Sequence, residues 1–274
     1  METSRPYFIR YHSSMNALWL TRMCAYKHSP QALTTAKRLI GFKIERESVL
    51  LRRYKQLTFT PDFAPARTIG NVLLIEARAA KHFRHAFRLL ISPKIDFVGR
   101  TPGGRDLVNK LLDIGYHHVT NIVRKFLEAR DVPAALGLLH VARKSDSAPL
   151  AYDLVELFRA DTVDAEVLRF LRLKKKPLVT ADKEVAHFLH EINERIERPH
   201  YLKDFCRCHS YRYYMEVQML KFISAVNHVQ PFEPMLLPAR HETRCQLTQE
   251  QAVLSSAPDR SSSRPGEMSK TVGL

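Results

Sequence analysis

Apolar residues in this chain recur at three- and four-residue steps almost everywhere and at two-residue steps almost nowhere, which predicts a mainly α fold. The stretch TIGNVLLIEARAAKHFRHAFRLLI sets Ile69, Val72, Leu73, Ala80, Phe83, Phe87 and Leu90 along one stripe. Ser29-Pro30 reads as an N-cap with proline at the first helical position, opening QALTTAKRLIGFKIERESVLLRRY. The run GRTPGG is a turn, and after it DLVNKLLDIGYHHVTNIVRKFLEAR carries Leu107, Leu111, Tyr116, Val119 and Val123 on one face. Helical patterns continue through PAALGLLHVA, APLAYDLVELFRA, DTVDAEVLRFLRL, ADKEVAHFLHEINERI and CHSYRYYMEVQMLKFISAV. Only residues 5–26 offer strand material. From Pro234 onward proline, serine and charge replace periodicity, which predicts a disordered tail over 239–274.

Charge is the strongest bulk signal. The 274 residues hold 43 Lys and Arg against 28 Asp and Glu, a formal net charge of +15. Residues 239–274 contribute five basic and four acidic residues, so nearly all of the excess belongs to the helical part. A folded surface this basic attracts polyanions, and nucleic acid ranks ahead of acidic lipid or an acidic protein. No apolar run approaches the roughly 18 residues that span a bilayer. The first twenty residues also lack the apolar core and cleavage site of a signal peptide, so the expectation is a cytoplasmic protein. Four cysteines are too few for a disulfide framework. Cys206, Cys208 and His209 lack a second ligand pair at zinc-finger spacing.

Carboxylates stand where helices should be apolar. Glu76 lies four residues after Val72 and four before Ala80, on or beside the stripe that enters the core. Asp153 and Glu156 are three apart, neighbours on one helix face whose repulsion a bound cation would relieve. His140 precedes them across a basic, serine-rich turn. Each also fits a plainer role. A helical Glu beside a core is commonly a rim residue, a lone His is commonly a hydrogen-bonded core residue, and Asp-x-x-Glu pairs are common on solvated faces. A di-iron bundle would need Glu-x-x-His on two packed helices. Glu184 with His187 supplies one copy, and Glu197 with His200 is interrupted by Pro199.

Taken together, these motifs resemble the CRISPR-associated integrases of spacer acquisition, the Cas-one family, from about Leu33 to about Pro234. The resemblance rests on the helical Glu76, on Asp106 with Asn109, on Gly137 with His140, and on Tyr152 to Arg159 in that order. The spacings of 64 residues from Glu76 to His140 and 16 from His140 to Glu156 are similar to the family's. The residue after the helical Glu, usually Gly in that family, is Ala77 here.

The resemblance implies a helical catalytic lobe over 29–238, and a metal-dependent DNA endonuclease and integrase inserting short spacers by phosphodiester transesterification. It implies that Glu76, His140 and Glu156 bind one Mg2+ or Mn2+, with Asp153 as a supporting catalytic acid. Two carboxylates suit either ion, and the imidazole is better tolerated by Mn2+. The implied partners are double-stranded DNA (prespacer and CRISPR repeat), a second copy of the chain, and the small ferredoxin-like Cas-two protein. Arg78, Lys81, Arg143, Lys144 and Arg159 are the candidate phosphate contacts, from their nearness to the acids in sequence. The family begins with a β-rich domain of several dozen residues, so residues 1–28 are expected to be its remnant, and dimerisation and integration to be weak. The alternatives are a catalytically impaired DNA-binding fragment and a transposon-encoded integrase of the superfamily. The expected core is Ile69, Leu73, Phe83, Leu111, Val123, Leu139, Leu154 and Phe158.

Overall fold

A computed structural model describes residues 5–142, 148–173, 181–202 and 205–237. Eight helices are found there: α1 Arg5–Lys27, α2 Pro30–Arg52, α3 Ile69–Leu90, α4 Leu107–Glu128, α5 Pro149–Val155, α6 Ala165–Leu173, α7 Ala181–Glu197 and α8 Tyr211–Asn227. A π-helical segment, Ala160–Asp164, joins α5 to α6. No described helix is long and apolar enough to cross a membrane. Phe83, Leu111, Val123, Leu139, Leu154 and Phe158 are buried, and Ile69 and Leu73 pack on the core half-buried. The tail over 239–274, where disorder is expected, lies outside the described residues.

α3 and α4 begin where a side chain satisfies a free N–H group. Ser29, the expected cap of α2, makes no such bond and donates its hydroxyl to Tyr26 O at 2.7 Å. Thr68 caps α3 in a reciprocal capping box, its hydroxyl accepting from Asn71 N–H and its own N–H donating to Asn71 Oδ1, both at 3.2 Å. Asp106 caps α4 by accepting from Asn109 N–H at 2.9 Å. The buried Asn109 side chain then fixes the preceding turn. Its amide donates to Gly99 O at 2.9 Å, and its oxygen accepts from Thr101 N–H at 2.8 Å and Arg100 Nη1 at 3.1 Å. The Asp-x-x-Asn pair is thus a staple that holds residues 99–101 against the start of α4.

Two segments depart from expectation. Residues 5–27 are helical and not strand: Trp19, Met23 and Tyr26 recur at helical spacing and are buried. Tyr26 Oη hydrogen-bonds Thr35 Oγ1 at 2.6 Å and Gln230 O at 2.7 Å, tying α1 to α2 and to the segment after α8. The second departure is an antiparallel hairpin, β1 Pro199–Leu202 with β2 Arg207–Ser210, where helix was expected from Cys208. Pro199 stops α7, and α8 waits for its cap Ser210, which accepts from Tyr213 N–H at 3.2 Å. His200 therefore lies on a strand, and the helical Glu197-x-x-His200 that a di-iron bundle needs is not formed.

Residues 234–237, where helical periodicity has ended, pack back on the helices. Met235 is buried, its N–H donating to Gln218 Oε1 at 3.0 Å and its carbonyl accepting from Tyr214 Oη at 2.9 Å.

α4 and the π segment meet closely because position 115 has no side chain. A Cβ on Gly115 would lie 2.5 Å from Val163 Cγ1 and 3.2 Å from Ile192 Cδ1. Gly115→Ala should therefore destabilise the fold by about 1–3 kcal/mol, the usual cost of an overpacked core. Urea unfolding followed by circular dichroism measures it, and an unchanged midpoint would contradict the packing described.

Candidate active site

Glu76, His140 and Glu156 face one cavity of about 240 Å3, although they come from α3, the loop after α4, and the turn after α5. Lys43 and Glu47 of α2, Arg84 of α3, Arg100, Tyr116 of α4, Arg159 and Asp164 line the same space.

His140 is held by Asp153. The Asp153 carboxylate has no solvent exposure, and accepts the backbone N–H groups of Leu138, Leu139 at 3.1 Å and His140 at 2.9 Å. It also contacts His140 Nδ1 at 2.7 Å. An ionised carboxylate only accepts, so Nδ1 carries the hydrogen, and in the neutral ring Nε2 keeps the lone pair. The Asp153 hydrogen bond, opposed by burial and aided by the charges of Asp153 and Glu156, raises the imidazole pKa above its ordinary value. Asp153 itself does not line the cavity.

Glu156 is buried against two cations. Arg159 Nη1 lies 2.5 Å from Oε1 and Lys43 Nζ lies 2.9 Å from Oε2. Burial would raise its pKa, but Arg159 and Lys43 outweigh it and hold the carboxyl down to about 2. Lys43 also contacts Glu76 Oε1 at 2.5 Å, so one ammonium bridges both acids. Glu156 Oε2, the oxygen turned toward Lys43, is itself buried.

These residues fit a hard divalent ion. Two carboxylates and a correctly protonated imidazole form a suitable donor set, and Glu156 Oε2 is a buried acceptor with an unfilled lone pair. They do not yet converge on one point: among the described residues no three His, Cys, Asp or Glu side chains form a ready ligand cluster. The Lys43 ammonium stands between the two glutamates.

The candidate phosphate contacts divide. Arg78 and Lys81 are exposed on α3. Arg159 is not a free surface cation, because it pairs with Glu156 and lies 3.9 Å over the Tyr116 ring. Arg143 and Lys144 lie outside the described residues.

Sequence reasoning missed Lys43, Glu47, Arg84, Arg100, Tyr116 and Asp164. A signal for the first two existed: Leu39, Lys43, Glu47 and Leu51 recur every four residues, so two charges interrupt a core stripe. Asp164 accepts from Tyr116 Oη, and burial, opposed by Arg159 and Tyr116, pushes it up to about 6. Burial likewise pushes Glu47 up to about 7, against the pull of Lys43.

An acid whose pKa is raised on folding stabilises most below its unfolded value and loses that contribution as pH rises through its folded one. For Glu47 that window runs from 4.5 to about 7. Glu47→Gln should therefore raise the melting temperature by several degrees at pH 8 and hardly at all at pH 4.5. Equal shifts at both pH values would contradict the burial described. Asp153→Ala should cost about 3–5 kcal/mol in urea unfolding, since it strands buried N–H donors; a loss below 1 kcal/mol would contradict the carboxylate's role.

A family model described as CRISPR associated protein Cas1 matches residues 4–190. The CRISPR-associated endonuclease Cas1 1 of Archaeoglobus fulgidus is 34% identical over 112 residues, covering 38% of this chain and 32% of that protein. The CRISPR-associated endonuclease Cas1 of Mycobacterium tuberculosis is 29% identical over 154 residues, covering 51% and 44%. The chain thus spans less than half the length of these curated relatives. Among solved structures, a casposase bound to integration product superposes with TM-score 0.68 at 18% identity, over 81% of this chain and 73% of that one. A Cas1 protein from Thermotoga maritima gives 0.66 at 15% identity, over 78% and 72%. A Cas6-RT-Cas1–Cas2 complex gives 0.59 at 18%, over 82% and 27%. At such identities the structures speak for the fold alone. The family match covers well over half of the sequence, and the chain belongs to the CRISPR-associated Cas1 family.

Proposed function

We propose that this chain carries the catalytic centre of a DNA endonuclease and integrase of CRISPR adaptation, acting by phosphodiester transesterification. The observation that carries it is the Asp153-oriented imidazole of His140 facing the same cavity as Glu76 and Glu156. Support also comes from the names of the curated relatives, which are CRISPR-associated endonucleases.

Glu76, His140 through Nε2, and Glu156 would hold Mg2+ or Mn2+. Such an ion, when bound, polarises a phosphoryl oxygen and stabilises charge on the attacking and leaving oxygens. The chain's own groups do the rest. Asp153 fixes the ring orientation and tautomer of His140. Arg159 keeps Glu156 ionised. Arg84 in the cavity wall, with Arg78 and Lys81 outside it, supplies positive charge for the phosphate backbone, while Arg100 is paired with Asp113. In transesterification a 3′-hydroxyl oxygen bonds to phosphorus while the phosphorus–oxygen bond of the target strand breaks. The proton passes from nucleophile to leaving group overall, and the number of phosphodiester bonds is conserved. Water in place of the hydroxyl gives hydrolysis.

The proposed partners are double-stranded DNA as prespacer and repeat, a second copy of the chain held only weakly, and Cas2, the last in keeping with the Cas2-containing complex among its structural neighbours. The cytoplasm, where such DNA would be met, is the proposed location.

Manganese titration with branched DNA, read on denaturing gels, tests the proposal. Metal-dependent cleavage or strand joining is expected, lowered by more than about 100-fold in Glu76→Gln while DNA affinity stays within about twofold. DNA affinity should fall steeply with salt because counterion release dominates binding to a basic face. A folded wild-type chain without metal-dependent cleavage or joining, or a Glu76→Gln variant as active as wild type, would overturn it.

A further inference from the structure

The cation nearest the two candidate ligand carboxylates belongs to the protein itself. Lys43 Nζ is 2.5 Å from Glu76 Oε1 and 2.9 Å from Glu156 Oε2, so those oxygens are at most 5.4 Å apart, the two contacts end to end. Hard divalent ions hold carboxylate oxygens at about 2.0–2.6 Å, so one ion reaching both needs them about 4–5 Å apart or closer. The ammonium fills the interval between the two carboxylates that would hold the ion.

We propose that Lys43 competes with the divalent ion for Glu76 and Glu156, so that displacement of its ammonium sets the metal affinity of the site. The inference rests on Glu76, His140 and Glu156 being the ligands. Three observations support competition over a merely structural ion pair. Glu156 does not need Lys43 for charge balance, because Arg159 already sits 2.5 Å from its other oxygen. The ammonium is shared, 2.5 Å from Glu76 Oε1 and 2.9 Å from Glu156 Oε2, so neither carboxylate holds it alone. Lys43 also has somewhere to go. Glu47 is one turn further along α2 on the same face, lines the same cavity, and already attracts the ammonium. A displaced Lys43 can thus turn from Glu76 and Glu156 to Glu47 without leaving a buried charge unpaired. The exchange breaks no covalent bond: one ammonium leaves two carboxylates and one divalent ion takes them.

The test is Mn2+ binding by the whole chain without DNA, followed by electron paramagnetic resonance of free Mn2+, with melting temperature as a second readout. Lys43→Met keeps the apolar stem and removes the charge. It should bind Mn2+ at least about tenfold more tightly than wild type. It should also melt lower than wild type in chelator, because two facing carboxylates then repel, and gain more from added Mn2+. Lys43→Gln should behave likewise and serves if the methionine variant does not fold. Affinity in the folded variant equal to or weaker than wild type would overturn the proposal. So would failure of both variants to fold even with Mn2+, which would make Lys43 structural. Wild-type binding that is lost in Glu76→Gln but unchanged in Lys43→Met sinks the competition alone. Absence of Mn2+ binding in wild type sinks the ligand assignment with it.

Discussion

A carboxylate shut away from water persists only where donors surround it, and Asp153 is the place where this chain meets that condition. Three consecutive N–H groups, from Leu138 to His140, turn inward to it, and the His140 ring closes the set. A loop between two helices is thereby pinned to α5. The same geometry explains the glycine three residues before the histidine. A Cβ on Gly137 would stand 2.8 Å from Asp153 Oδ2 and 2.9 Å from both His140 O and Pro149 C. Gly-x-x-His and the Asp of the following helix are therefore one device, and Glu156, one turn beyond Asp153, inherits its position from it.

The rest of the interior follows the same logic of charge met by charge. Arg46 forms a two-pronged pair with Asp161, at 2.6 and 2.8 Å, one turn away from the Lys43 bridge on α2. Both belong to surfaces that the π segment brings together: all five of its residues, Ala160 to Asp164, are buried. Asp161 reaches Arg46 and Asp164 reaches Tyr116. A buried pair of this kind adds little net stability, but loss of one partner leaves an uncompensated charge. Such pairs constrain which helices can be neighbours more than they add to the depth of the fold.

Helix existence was legible in the sequence because burial imposes a period, and the period survives in Val72, Ala80, Phe83 and Phe87 as in Leu111, Val119 and Val123. What was not legible depends on partners distant in sequence. Residues 5–27 lack a strong stripe, and their helix is fixed by Trp19, Met23 and Tyr26 meeting α2 and the segment after α8. The hairpin at 199–210 is four residues per strand, too short to announce itself between two helices. Glu76, His140 and Glu156 could be grouped through a family resemblance, and they do face one cavity. For Lys43 the sequence shows only that a charge interrupts the core stripe of α2, not which groups it meets. Its two carboxylates are 33 and 113 positions away.

The cavity is lined by four acids and four Lys or Arg residues, inside a protein with a formal charge of +15. Both halves of that arrangement are needed for work on a phosphodiester. An acid cluster alone would repel the backbone, and a cationic pocket alone would hold DNA without offering oxygens to an ion. Here the surplus positive charge lies outside, on residues such as Arg78 and Lys81. Inside, Glu76 and Glu156 are held by Lys43, and Glu156 also by Arg159. Glu47 and Asp164, with carboxyls pushed up to about 7 and about 6, adjust the balance near neutral pH. A phosphate approaching this site therefore meets long-range attraction first and a nearly neutralised acid corner last. On the proposed function, that order would draw DNA in without requiring the carboxylates to give up their charge.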